Sequence, residues 1–223
     1  MTDTAAPSAP EVEPLVGGID PTQVYVAGTG NIYTAPQDTP MPSAPVVLPP
    51  SPPWVDRGLA DETGVVMQFG KTISPIKAWQ VFDPVRLLIT DQPKNVKFTL
   101  MQSNAGNMIL ALGGGSVGAQ GIYTPPAAGT VALVSLFIAV QDGGVIWAFY
   151  APRTMVSQNV DIPWIKTGEA KIPLQLDVQA AAAGAPAFQF IFPTAFGTQM
   201  MAEETDTTRA IKNATKNNHS AAA

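Results

Sequence analysis

The chain has no cysteine and a single histidine, His219, which sits in a polar stretch close to the C-terminus. Without thiols there is no disulfide framework, no thiolate metal site and no cysteine nucleophile. One histidine leaves triads, His-ligated zinc and most general-base chemistry poorly supplied. Charge is scarce as well: 13% of residues are charged, against about 25% in an ordinary soluble domain. Long apolar runs are missing. The longest, Val131 to Val140, is 10 residues with Ser135 inside it, and a membrane-spanning helix needs about 20. The opening MTDTAAPSAPEVEP lacks the basic and apolar regions of a signal peptide. The expectation is a soluble chain with no export signal of its own and no membrane insertion. Basic residues are absent from residues 1–55, where Asp3, Glu11, Glu13, Asp20 and Asp38 give −5, while residues 56–223 balance 12 basic against 12 acidic groups. No basic stripe exists to neutralise phosphates, which argues against a sequence-reading nucleic-acid binder.

Apolar residues and prolines are abundant. Hydrophobic residues make up 46% of the 223, enough for one core in a chain of about one domain plus a remainder. Of the 22 prolines, 12 lie in the first 53 residues. Residues 1–21, rich in Ala, Pro and Glu, cannot bury enough apolar surface to hold themselves in place and read as an N-terminal arm. Residues 22–35 predict two short strands around Gly28-Thr29-Gly30. Residues 36–53 carry eight prolines and read as an extended, partly polyproline loop that either lies on a partner or is disordered. From Trp54 to Phe196 the pattern is β, and residues 197–223 form a polar C-terminal arm with at most a loose helix from Met200 to Lys212. The domain boundaries are therefore an arm over 1–21, a β domain over 22–196 holding a Pro-rich loop at 36–63, and an arm over 197–223.

Within the β domain, Val65, Met67 and Phe69 alternate, and a strand is expected over Ile76 to Val81. Pro84–Thr90 and Asn95–Ser103 predict a hairpin around Asp91-Gln92-Pro93-Lys94. Asn104 is placed to cap a short helix from Ala105 to Leu112, ended by Gly113-Gly114-Gly115. A second hairpin joins Thr130–Val140 to Val145–Ala151 through Asp142-Gly143-Gly144. Strands Ala170–Val178 and Ala187–Pro193 have one apolar and one wet face. The hairpin around Asp142 is apolar on both faces, so it needs cover on both sides, from the same domain or from a neighbouring subunit.

Candidate sites are few. Gly28-Thr29-Gly30 and the Gly113–Gly118 run lack the spacing of a phosphate loop and read as a turn and a helix C-cap. Asp61-Glu62 and Glu203-Glu204 are adjacent carboxylates that point apart on an extended chain and read as solvated charge. Two Asn-x-Ser/Thr triplets, at Asn213 and Asn218, carry no meaning without a secretory route. Trp54, Trp79, Trp147 and Trp164 are spread over four elements and read as core or interface anchors. No catalytic, cofactor or metal residues are assigned. Ordering a 50-residue arm costs on the order of 1–2 kcal/mol per residue, which apolar burial against neighbouring subunits offsets at about 25 cal/mol per Å². This is the composition of a self-assembling structural protein. Its candidate subunit contacts are Val24, Tyr25, Ile32, Tyr33, Val46, Val47, Leu48, Trp54, Leu136, Ile138, Trp147 and Tyr150.

The order of segments resembles the major tail protein, or tail tube protein, of long-tailed bacteriophages, particularly those of actinobacteria. The likeness is carried by Val24 to Pro36, Asp38-Thr39-Pro40, the Pro-rich loop into Trp54–Val65, Ile76-Lys77-Ala78-Trp79-Gln80, the strand of Arg86, and Lys97 to Asn104. It covers residues 22–115 well and the later strands by pattern; Met101-Gln102 and the long proline run depart from it. The resemblance implies a mainly β subunit, a β-sandwich or barrel with one short flanking helix, that closes into hexameric rings stacked as a hollow tube. It implies arms and a long loop that join successive rings, with tape measure protein, tail terminator, distal tail or baseplate proteins and passing double-stranded DNA as partners. Lys97, Thr99, Gln175 and Asp177 are the candidates to face the lumen. Two alternatives stand beside it: another virion part, such as a capsid decoration protein or distal tail adaptor, and a small β-sandwich binding module or hydrolase.

Overall fold

Period-two alternation builds most of the molecule. The computed structural model describes residues 24–193 except 44, 45, 158, 167 and 183. The two arms, the helix expected at Met200 to Lys212, Glu203-Glu204, His219 and both Asn-x-Ser/Thr triplets lie outside the described residues. In β11 (Ile172–Val178) the side chains of Ile172, Leu174 and Leu176 are buried, while Gln175 and Asp177 point the other way. In β6 (Lys94–Leu100), Val96, Phe98 and Leu100 are buried. The two strands pair antiparallel with Leu174 opposite Phe98 and Gln175 opposite Lys97, so both alternations agree on one inner face.

The strands β9 (Leu133–Asp142) and β10 (Val145–Val156) form the expected hairpin, turned by Gly143-Gly144 with Gly143 at φ +57°. Strand β1 (Thr29–Pro36) runs along β9 over its whole length. It replaces the two strands expected around Gly28-Thr29-Gly30. Gly30 lies inside the ladder opposite Val140, where a Cβ would stand 3.0 Å from the carbonyl oxygen of Ala139. That glycine permits close backbone approach and makes no turn. The remaining strands are β2 (Val55–Asp56), β3 (Ala60–Phe69), β4 (Thr72–Lys77), β5 (Pro84–Asp91), β7 (Ser116–Val117), β8 (Tyr123–Thr124) and β12 (Gln189–Ile191).

The main sheet has the order β2-β1-β9-β10-β11-β6-β3, with β12 also on β10. Its first and last strands are separated in sequence only by residues 57–59. The sheet folds over on itself as an antiparallel sandwich and does not close as a barrel. Ile32, Leu136, Ile138 and Phe149 from one half meet Val96, Phe98, Leu100, Ile172, Leu174 and Leu176 from the other, with Leu110 and Ala111 of the helix α1 (Ala105–Ala111) in the same core. The helix ends follow the sequence. Asn104 accepts from the Asn107 N–H, and Gly113 and Gly114 donate back to Leu110 and Ile109, a Schellman cap.

The strands expected on either side of Asp91–Lys94 exist, but they do not pair with each other. β5 pairs back with β4, while β6 pairs with β3 and β11. The reason is that β3 continues into β4 and β5 into β6, which makes one long ribbon. Gly70 donates to the Pro93 carbonyl at 2.8 Å where the ribbon bends, and Pro93 has no N–H with which to continue the ladder. The strand expected to reach Val81 ends at Lys77, and residues 78–83 turn the ribbon round.

Both faces of the β9–β10 hairpin are covered from within the chain over most of their length, the end near Val140 and Trp147 being half-buried. One face joins the sandwich core, and on the other Tyr33, Phe137, Ala139, Ala148 and Tyr150 are covered by Met41, Val46, Leu48 and Trp54 of the Pro-rich loop. This corrects the expectation that the loop lies on a partner or is disordered. Trp54 packs at 5.7 Å from Phe137 and 6.2 Å from Tyr150, ring centre to ring centre. Eight prolines in residues 36–53 also restrict the unfolded chain, which lowers the entropy lost when the loop settles.

Candidate assembly surfaces

The root of the Pro-rich loop is pinned by polar groups. Asp38, in the left-handed region at φ +59°, follows β1 and receives two hydrogen bonds from the Arg153 guanidinium, each 2.7 Å. Those bonds hold the Asp38 carboxyl below the usual carboxylate range. The Tyr150 hydroxyl donates to the Thr39 carbonyl at 2.6 Å, and the Thr39 N–H donates to Ser135 Oγ at 3.0 Å. Ser135 in turn lies within donating distance of the Pro36 and Pro152 carbonyls. Burial, then the charge of Asp38, pushes the Tyr150 hydroxyl up. Every buried polar group named here has a partner, so the loop is fixed as part of the subunit.

A second clamp joins β3 to the residues before β11. Lys171 donates to Asp61 and lies 3.1 Å from Glu169, while the Thr63 N–H donates to the other Asp61 oxygen. The bond from Lys171, then that from Thr63, holds Asp61 below the usual range. Asp61 is therefore a largely buried structural partner, which corrects its reading as solvated charge. Its partner is 110 residues away in sequence, beyond any local pattern.

The distal half of the β3–β6 ribbon carries an extended apolar surface that no other described element covers. Every residue of β4 and β5 is exposed, and the two strands pair only with each other. Ile73, Ile76, Val85, Leu87, Leu88 and Ile89 stand in solvent along them, and Trp79 and Phe82 at the turn are 98% and 104% exposed. Neither core cluster uses any of these side chains. The sequence signal was the run of aliphatics on both faces of two short strands joined by an aromatic-bearing turn.

Below the bend lies an apolar groove of about 300 Å³, lined by Met67, Ile138, Val140, Phe149 and Phe190, by Tyr25 to Ala27, and by Trp147, Ala148 and Asp142. Phe190 continues into a ladder of rings with Phe188, Phe192 and Phe69. Tyr25 meets Trp147 edge-on at 4.9 Å.

The candidate contact residues divide by burial. Ile32, Tyr33, Leu136, Ile138 and Tyr150 lie in the two core clusters. Val46, Leu48 and Trp54 are half-buried in the loop's packing, while Val24 and Val47 are exposed. Tyr25 and Trp147 line the groove. The structure brings all four candidate lumen residues onto one outer face of β6 and β11: Lys97 is opposite Gln175, Thr99 is opposite Pro173, and Gln175 donates to Asp177 at 3.1 Å. This face carries one basic and one acidic side chain from that set.

Among the described residues no helix is long and apolar enough to cross a membrane. No curated protein matches the chain. The sequence model of a family described as phage tail tube protein matches residues 17–202, a span that includes the whole sandwich, the Pro-rich loop and the projecting ribbon. The chain belongs to the phage tail tube protein family, a structural family of the virion tail.

Proposed function

We propose that this chain assembles into closed rings, six subunits to a ring, which stack into a hollow tube that guides the phage genome into the host cell. The observation that carries the reading is the exposed apolar ribbon of β4 and β5. An isolated two-stranded hairpin is marginally stable at best in water, and a contiguous apolar surface of this kind marks a protein contact. Neighbouring subunits supply that cover in a tube. The arms over 1–21 and 197–223 and the exposed side of the Pro-rich loop join successive rings. The tail-tube partners are the tape measure protein within, the terminator at one end and the distal tail or baseplate proteins at the other.

The conduit role is passive. Duplex DNA carries about one negative charge per 1.7 Å, so a wall that lets it slide must not present an uncompensated basic ring. The outer face of β6 and β11, with Lys97 offset by Asp177 and interleaved with Thr99 and Gln175, meets that condition and is assigned to the lumen. Assembly takes place in the host cytoplasm. The test is negative-stain electron microscopy of the purified chain with its light-scattering mass, alone and with a tail-tip initiator. Hollow rings or tubes are expected; a single-subunit mass that persists with the initiator overturns the proposal.

A further inference from the structure

The ribbon ends in a knob, and the sandwich carries a hole of matching chemistry that its own knob does not fill. Trp79 and Phe82 stand fully in solvent at the turn, while the groove lined by Met67, Val140, Phe149 and Phe190 is apolar and open. Met67 lies in β3, at the base of the same ribbon, twelve residues before Trp79. At about 3.3 Å per strand residue, even with the bend at Gly70, the tip stands on the order of 30 Å along the ribbon from its root. The tip therefore does not reach the groove of its own chain.

We infer that the Trp79–Phe82 tip of one copy seats in the Phe149–Phe190 groove of the next. This rests on the self-assembly reading above and specifies the contact within it. The areas agree: two such rings bury on the order of 400 Å², about half of the roughly 800 Å² per partner that a stable complex covers, and the exposed aliphatics of β4 and β5 lie beside them. The charges agree too. Lys77, Asp83 and Arg86 leave the tip region net positive, and Asp142 is the one carboxylate among the described groove-lining residues. Knob and hole occupy different surfaces, so the contact is head-to-tail. Such a contact adds each subunit in the same sense and closes into a ring or continues as a helix.

The absence of cysteine makes the contact directly testable in the full chain. Ala78→Cys places a thiol beside the tip and Ala27→Cys places one on the groove, leaving both aromatic anchors intact. The two variants are mixed under assembling conditions and mildly oxidised. A disulfide-linked dimer is expected from the mixture and from neither variant alone. Assembled material that yields no such dimer overturns the tip-in-groove contact while the tube reading stands. Dimers of Ala78→Cys alone indicate tip-to-tip contact and overturn it equally. If the unmodified chain keeps a single-subunit mass even with an initiator, the underlying reading fails and this contact fails with it. As a second arm, Trp79→Ser with Phe82→Ser, both fully exposed, should leave the melting temperature unchanged and raise the concentration needed for assembly at least about tenfold. An unchanged assembly threshold rejects the contact.

Discussion

Asn107 illustrates how much one buried amide holds. It is 1% exposed, and its side-chain N–H₂ donates to the Arg57 carbonyl at 3.0 Å and the Gln102 carbonyl at 2.8 Å. It therefore ties the helix to the connection between the two ends of the sheet. Asn107→Ala removes the donor from two part-buried carbonyls and should lower stability by about 1–3 kcal/mol, at about 0.5–1.5 kcal/mol per hydrogen bond lost; urea unfolding of the single subunit measures it. The carboxylates Asp38 and Asp61 make a different prediction. Both are held below their ordinary value by their cationic partners. Their contribution is complete above the unfolded pKa, about 3.9, and is lost as pH falls through the lower folded values. Melting temperature should therefore drop below about pH 4, and D38N with D61N should flatten that acid limb. An acid limb unchanged in the double variant removes these pairs from the account.

At the scale of elements, the Pro-rich loop shows how a segment that looks unstructured becomes part of a core. Ser135 in β9 is fully buried, receives the Thr39 N–H and lies against the Pro36 and Pro152 carbonyls. Ser135→Ala leaves these groups without their shared partner. The Thr39 N–H and both carbonyls keep other partners, so the expected result is a loss of about 1–2 kcal/mol and faster amide hydrogen exchange across residues 37–54, with the β6–β11 pair unchanged. Exchange that rises equally everywhere would mean that the loop and the sandwich unfold as one unit. The ends of helix α1 need no such long-range help, because Asn104 and Gly113-Gly114 supply its caps locally. This is why its boundaries were readable to within a residue.

At the scale of the whole molecule, the sandwich and the projecting ribbon are energetically separate. The sandwich core takes nothing from β4 or β5. Replacing residues 72–91 by a short turn should therefore leave the melting temperature of the single subunit nearly unchanged and abolish higher assemblies. Sedimentation velocity reads both states. A truncated chain that still forms rings would place the subunit contact elsewhere, and one that fails to fold would show that the ribbon supports the sheet. In the assembly proposed above, the surface that joins subunits is one the sandwich core does not use.

The sequence alone determined that the body is β, the strands of the Asp142 hairpin and of β6 and β11 with their apolar faces, where the short helix starts and stops, and that the chain carries no cysteine and one histidine. Those properties rest on alternation, capping and turn chemistry, which act between residues a few positions apart. The tertiary structure decided three things. It paired β5 with β4 instead of β6, because the ribbon bends and continues at Gly70 and Pro93 where the sequence suggested a turn. It covered the second face of the β9–β10 hairpin with the chain's own loop and, among the described residues, left the aliphatics of the β4–β5 ribbon exposed. It joined Asp61 to Lys171 and Asp38 to Arg153 across more than a hundred residues. Each depends on which distant segments the closing sheet brings together, and alternation along one strand is the same whichever neighbour it meets.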